Sequence, residues 1–191
     1  FQDLEGPKAP NLSAAAAEAN RILANARKAL KVKQGEPLTI EQMNEMTAEE
    51  REAFTLAHSS FGNPGIALSP NARYRIETSC GFETLLAAAE TVEFHHDRLA
   101  RWYGADPFKT RQGIVRIVPE SWGLESEGTP YWWAGGFQGG DTTTIKFALS
   151  NVEGMGRTLT HEFTHRFDGT LLPFQPSWLV EGKAVWTGAA Y

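Results

Sequence analysis

Met155-Gly156-Arg157-Thr158-Leu159-Thr160-His161-Glu162-Phe163-Thr164-His165-Arg166-Phe167-Asp168 is the stretch from which the rest of the chain can be read. Met155, Leu159, Phe163 and Phe167 recur every four residues, the spacing of an apolar helix stripe that faces a core. His161 lies about 200° around the cylinder from Leu159, so the histidine face points away from that stripe. One side of the helix is therefore packed and the other lines a cleft. His161 and His165 stand one turn apart on the cleft side, where both imidazoles can reach one ion at about 2.0–2.1 Å. Glu162 sits one step around the helix, placed to hold a metal's water and take its proton without being a ligand. Gly154 and Gly156 leave the helix start open, and Asp168-Gly169 is the expected stop, with glycine in the left-handed conformation. The plain alternative is an exposed helix with two solvated histidines.

A third ligand is what this helix lacks, and the sequence downstream offers one. Pro176-Ser177-Trp178-Leu179-Val180-Glu181-Gly182-Lys183-Ala184 reads as the start of a second helix, with Ser177 as N-cap and Glu181 in its first turns. Fifteen residues separate His165 from Glu181, enough for the chain to leave one helix and return beside it. Small residues at Gly182 and Ala184 would let the two helices approach closely. Two neutral imidazoles and one carboxylate leave the fourth zinc position open, as in catalytic rather than structural sites. The alternative for Glu181 is a carboxylate favoured by the helix dipole near an N-terminus.

The HExxH segment followed by Trp178-Leu179-x-Glu181-Gly182-x-Ala184 resembles the gluzincin metallopeptidases, the thermolysin-like and aminopeptidase-like group. The two motifs cover about the last 35 residues. Upstream, Tyr74 to Thr78, a helix-like stretch, and Gly113 to Val118 resemble the strand-helix-strand lead-in of bacterial gluzincin-like peptidase domains. The resemblance implies an α+β zincin-like domain with a mixed sheet and an active-site helix. It also implies zinc on His161, His165 and Glu181, Glu162 as general base, a peptide or protein substrate, and an extracellular or cell-envelope location.

Two positions depart from the pattern. Thermolysin-like enzymes carry an aspartate four residues after the glutamate ligand to orient the first histidine, and Val185 stands there instead. The ring N–H of a metal-binding histidine needs a partner, so Asp168 or a backbone carbonyl is expected to supply it. Gluzincins also use a downstream tyrosine or histidine to stabilise the oxyanion; the candidates are Tyr191, Tyr131 or a C-terminal part beyond this chain. These departures keep a rival open, a catalytically inactive domain of the same fold that binds peptide or protein. A third reading is a structural module of a larger assembly with a fortuitous motif.

Composition sets outer bounds. The 191 residues are 41% apolar, enough for a real core, and the formal charge of −5 argues against nonspecific nucleic-acid binding, which needs a basic stripe. No apolar run reaches the length of a membrane span. The single Cys80 excludes an intrachain disulfide and reads as a small buried hydrophobe. A first residue that is phenylalanine suggests a processed protein or an excised fragment. Oligomeric state is not legible.

The organisation follows from periodicity and turn signals. Ser13 to Val32 reads as a helix, and Thr39-Ile40-Glu41-Gln42 and Thr47-Ala48-Glu49-Glu50 each have the capping-box arrangement that opens a shorter helix. Ser59 to Asn71 is a turn-rich connection, which divides the chain into an N-terminal helical segment, 1–63, and the zincin-like domain, 72–191, whose catalytic set can be incomplete at its C-terminus. Tyr74 to Ser79 is a strand and Phe82 to Tyr103 a long helix ended by Asp106-Pro107. Ile114 to Val118 is a covered strand pairing with the first through a crossover. Tyr131 to Ala148 reads as a hairpin, whose strand before the active-site helix is expected at the sheet edge, free either to pair with an extended peptide or to serve as a simple edge. Adjacent His95-His96 diverge on a helix and read as partly buried or solvated. Gly135-Gly136 and Gly139-Gly140 do not make a phosphate loop, and Trp132, Trp133, Trp178 and Trp186 read as core or cleft wall.

Overall fold

The computed structural model describes residues 17, 21, 35–60, 62–121, 124, 134–147 and 152–190. Ala17 and Arg21 are helical; the rest of the helix expected over Ser13 to Val32 lies outside the described residues, as do Tyr131, Trp132, Trp133 and Tyr191.

Two short helices open the described chain, α1 (Ile40–Asn44) and α2 (Ala48–Ala57). Both capping boxes form: Thr39 and Thr47 accept from the amides of Gln42 and Glu50, whose side chains accept from the Thr39 and Thr47 amides in return. His58 is the C-cap of α2. Strands β1 (Ser59–Ser60), β2 (Asn63–Leu68) and β3 (Tyr74–Thr78) follow, then helix α3 (Phe82–Tyr103) and strand β4 (Gly113–Pro119). The hairpin is β5 (Gly136–Gly139) and β6 (Thr142–Phe147), and helices α4 (Val152–Leu171) and α5 (Ser177–Ala189) complete the fold. No described helix is long and apolar enough to cross a membrane.

The six strands form one mixed sheet in the order β1-β2-β3-β4-β6-β5. The two central pairings, β3 with β4 and β4 with β6, are parallel, and the outer ones are antiparallel. Helix α3 lies against β2 and β3, α4 lies against β5 and β6, and the two helices touch, so together they cover one face. The core between is continuous from Phe54 and Phe82 through Leu85, Ile76 and Ile117 to Leu159, Phe163 and Phe167. On the opposite face Glu77 is flanked by Arg75 at 2.8 Å and Arg116 at 3.7 Å. This is an α+β fold whose second sheet face is charged around Glu77 and buried at Val118 and Thr144.

Several local expectations are corrected. The connection Ser59 to Asn71 contains β2, because Ile66 and Ala67 are buried and Gly65 leaves space for the Phe54 ring, which stands 2.6 Å from where a Cβ would lie. The strand before α4, β6, is interior among the described strands, and β5 is the edge. Helix α3 stops at Gly104, left-handed at φ 67°, before Asp106-Pro107. His95 and His96 are fully buried, and Cys80 is half-buried rather than interior.

Those two histidines brace α4 from behind. The Thr160 hydroxyl donates to the Gly156 carbonyl at 2.9 Å, so it accepts from His95 Nδ1–H, also at 2.9 Å. Arg166 donates to the Tyr74 hydroxyl at 2.9 Å, Tyr74 donates to His96 Nδ1 at 2.7 Å, and His96 Nε2 faces Asp106 at 3.1 Å. Gly113 makes the room, since a Cβ there would meet the Tyr74 ring at 2.5 Å.

Burial, then the Arg98 charge, pushes the His95 pKa down to about 4. Below pH 6.5 the unfolded chain therefore binds a proton that the folded chain refuses, and stability falls as pH drops from about 6.5 towards 4. His95→Gln is expected to make that acid limb shallower in denaturant titrations at a series of pH values. An unchanged limb would show that His95 titrates normally in the fold.

Candidate metal centre

Helices α4 and α5 run antiparallel, as the contacts show: Gly188 lies on Arg157, Thr187 on Thr164 and Lys183 on Asp168. The approach is close because of two small residues. Ala184 is fully buried, and a Cβ at Gly188 would stand 3.0 Å from the Arg157 carbonyl oxygen and 3.7 Å from His161 Cβ. Gly182, expected to share this role, instead faces open space. The Thr164 and Thr187 hydroxyls lie 2.7 Å apart across the contact, so that one donates to the other while the acceptor donates to a carbonyl of its own helix, Thr160 or Ala184.

The helix ends differ from expectation without moving the site. Helix α4 continues past Asp168-Gly169 to Leu171, because the Leu172 amide still finds the Asp168 carbonyl at 2.8 Å. Helix α5 is capped by the Pro176 backbone, whose carbonyl accepts from Leu179 and Val180, so Ser177 is its first residue rather than its cap.

This packing brings His161, His165 and Glu181 together. The two Nε2 atoms are 3.1 Å apart, and Glu181 Oε2 lies 3.6 Å from His161 Nε2 and 3.7 Å from His165 Nε2. A tetrahedral ion holding nitrogen and oxygen at about 2.0–2.2 Å spaces its ligands roughly 3.3–3.6 Å apart, so the triangle has the size for one. The set is two imidazoles and a carboxylate, which suits zinc and other first-row ions. Burial, then His165, lowers the His161 pKa, and burial lowers that of His165, so both rings favour the neutral form that ligates. Glu181 is 62% exposed, which leaves one side of the triangle open to solvent.

The Ala184 backbone lies close enough to the His161 ring to favour its protonated form, a smaller effect than burial. Val185 points outward and takes no part. Asp168 acts on His165 through its charge alone among these contacts; its Oδ1 accepts from the Tyr103 hydroxyl at 2.6 Å and from Lys183 at 2.5 Å. Asp168 thus ties α3, α4 and α5 at one buried carboxylate.

Glu162 is buried on the same helix, not in the triangle. Burial, then the Glu181 charge, raises its pKa to about 8. A cation between the histidines would oppose both causes. Its neighbour across the cleft is Gly136 of β5, where a Cβ would fall 2.7 Å from the Glu162 carboxylate oxygen. The sequence shows that Gly135-Gly136 is no phosphate loop, and no local pattern there marks the approach of Gly136 to Glu162. Trp178 and Trp186, expected as core or cleft wall, are 74% and 63% exposed on α5.

No family model, curated protein or solved structure matches the chain.

The Asp168 tie makes a test of the helix pairing. Lys183→Met leaves a buried carboxylate short of its cation and is expected to lower stability by about 3 kcal/mol. Asp168→Asn in the same chain should recover most of that loss, as followed by urea unfolding. Additive losses would show that the two side chains do not act as a pair.

Proposed function

We propose that this chain is a zinc-dependent peptidase of the gluzincin kind, with His161, His165 and Glu181 holding the metal and Glu162 serving as general base. The observation that carries the reading is the convergence of three donor atoms in a triangle of 3.1, 3.6 and 3.7 Å with a buried carboxylate on the next residue. Zinc bound there supplies Lewis acidity, polarising a scissile carbonyl and acidifying water to near neutral pH.

The chain's own groups supply the rest. Glu162, buried on the residue next to His161, takes the proton from the attacking water and returns it to the leaving amine. Neutral His161 and His165 keep their lone pairs for the metal. The edge strand β5 supports docking of an extended peptide. Gly135 accepts the Lys146 amide at 2.8 Å, and in an antiparallel ladder the next residue then turns its N–H and C=O away from the partner strand. Among the described residues no strand lies beside the outward backbone groups of Gly136 next to Glu162, which leaves room there for a substrate strand to pair.

The same edge favours the rival, a domain that binds peptide without cleaving it. New amino termini released from a mixed peptide library by the zinc-loaded protein would distinguish the two; tight binding without product would favour the rival. Glu162→Gln should lower turnover by at least about 10²-fold while zinc content stays at the wild-type level. Full activity in that variant would remove Glu162 from the role of base.

A further inference from the structure

Two adjacent glycines precede and open β5, and they meet different surroundings. A Cβ at Gly135 would sit 3.8 Å from Thr158 Cγ2, an ordinary contact. A Cβ at Gly136 would sit 2.7 Å from Glu162 Cγ, 2.7 Å from its Oε1 and 2.9 Å from its Cδ, closer than real Cβ atoms come to anything. Neither glycine has a positive φ, so the backbone requires glycine at neither position. What Gly136 supplies is volume, and the whole of that volume is taken by the outer half of one side chain.

We propose that Gly136 is a positioning residue for Glu162: the missing Cβ is the seat of the carboxylate, and the edge strand is the wall that fixes where that carboxylate stands beside His161. The catalytic consequence rests on the peptidase reading above; the contact itself does not. Thr158 and Glu162 are one turn apart on α4, so β5 follows one face of that helix, and its register with β6 (Gly136 opposite Ile145) places the gap at Glu162 rather than at Thr158. The obstructed atoms belong to a flexible side chain rather than to backbone. A methyl group at 136 would therefore be accommodated by Glu162 swinging aside, with the fold and the three donor atoms left in place. Displacement of a catalytic group by about 1 Å costs on the order of 10²-fold in rate.

The test combines Gly136→Ala, Gly135→Ala, Glu162→Ala and the Gly136→Ala/Glu162→Ala pair. With zinc loaded, Gly136→Ala should keep the wild-type metal stoichiometry and a KM within about twofold while kcat falls about 10²-fold, and Gly135→Ala should leave kcat unchanged. Wild-type kcat in Gly136→Ala, or loss of its zinc, would overturn the positioning role. Thermal midpoints of the metal-free proteins give a readout that needs no turnover. The shift caused by Gly136→Ala should be about 2–4 °C more unfavourable with Glu162 present than with alanine there. The unfolded-state effect of replacing glycine is common to both backgrounds and cancels. Equal shifts would overturn the contact whatever the activity, whereas unequal shifts in a chain that hydrolyses nothing would defeat the peptidase reading and leave the contact standing.

Discussion

The close antiparallel contact of α4 with α5 is the constraint on which the site depends. His161 and His165 lie on one helix and Glu181 on the other, so the donor triangle exists only at the separation that Ala184, Gly188 and the Thr164–Thr187 hydrogen bond permit. A larger residue at 188 would strike the Arg157 carbonyl directly, and backbone cannot swing aside as a side chain can. The same contact explains the electrostatics. Burying two imidazoles lowers their proton affinity and so favours the neutral form that ligates, whereas burying Glu162 near Glu181 raises that of the carboxylate, a shift that a cation in the triangle would oppose.

Polar groups carry the alignment that apolar packing alone would leave loose. Tyr103, Asp168 and Lys183 join three helices at one buried carboxylate, and Arg166, Tyr74 and His96 form a hydrogen-bonded row behind α4, with Asp106 3.1 Å from the far nitrogen of the His96 ring. Apolar stripes let a helix rotate or slide at little cost, whereas a buried row of this kind keeps its contacts in one arrangement. Residues 161 and 165 are thereby aimed by contacts that never touch the site. The sheet contributes on the other side, where β5 passes so close to Glu162 that a Cβ at Gly136 would displace its carboxylate.

Much of this was legible in the residues. The four-residue recurrence of Met155, Leu159, Phe163 and Phe167 gave the packed face of α4, and all four are buried. The capping boxes marked two helix starts to the residue, and the crossover from β3 through α3 to β4 followed from a covered strand after a long amphipathic helix. The convergence of Glu181 with the histidines was expected from spacing and is present in the geometry. Other features depended on information that no local pattern holds. Asn63-Pro64-Gly65 reads as a turn, but Ile66 and Ala67 are drawn into the sheet by pairing with Glu77 and Ile76. Gly182 and Gly188 look alike in sequence, and only the direction of each on α5 tells which one admits the neighbouring helix. The exposure of Trp178 and Trp186 runs against their hydrophobicity, and no contact among the described residues explains it.

Elemental analysis of the purified protein after dialysis against a weak chelator addresses the centre most directly, with the wild type beside Glu181→Ala. One zinc per wild-type chain, lost in the variant, is the expected result, because removal of the carboxylate leaves two imidazoles on one helix and no third donor. Absence of retained metal in the wild type, or equal retention by both proteins, would contradict a centre built from His161, His165 and Glu181.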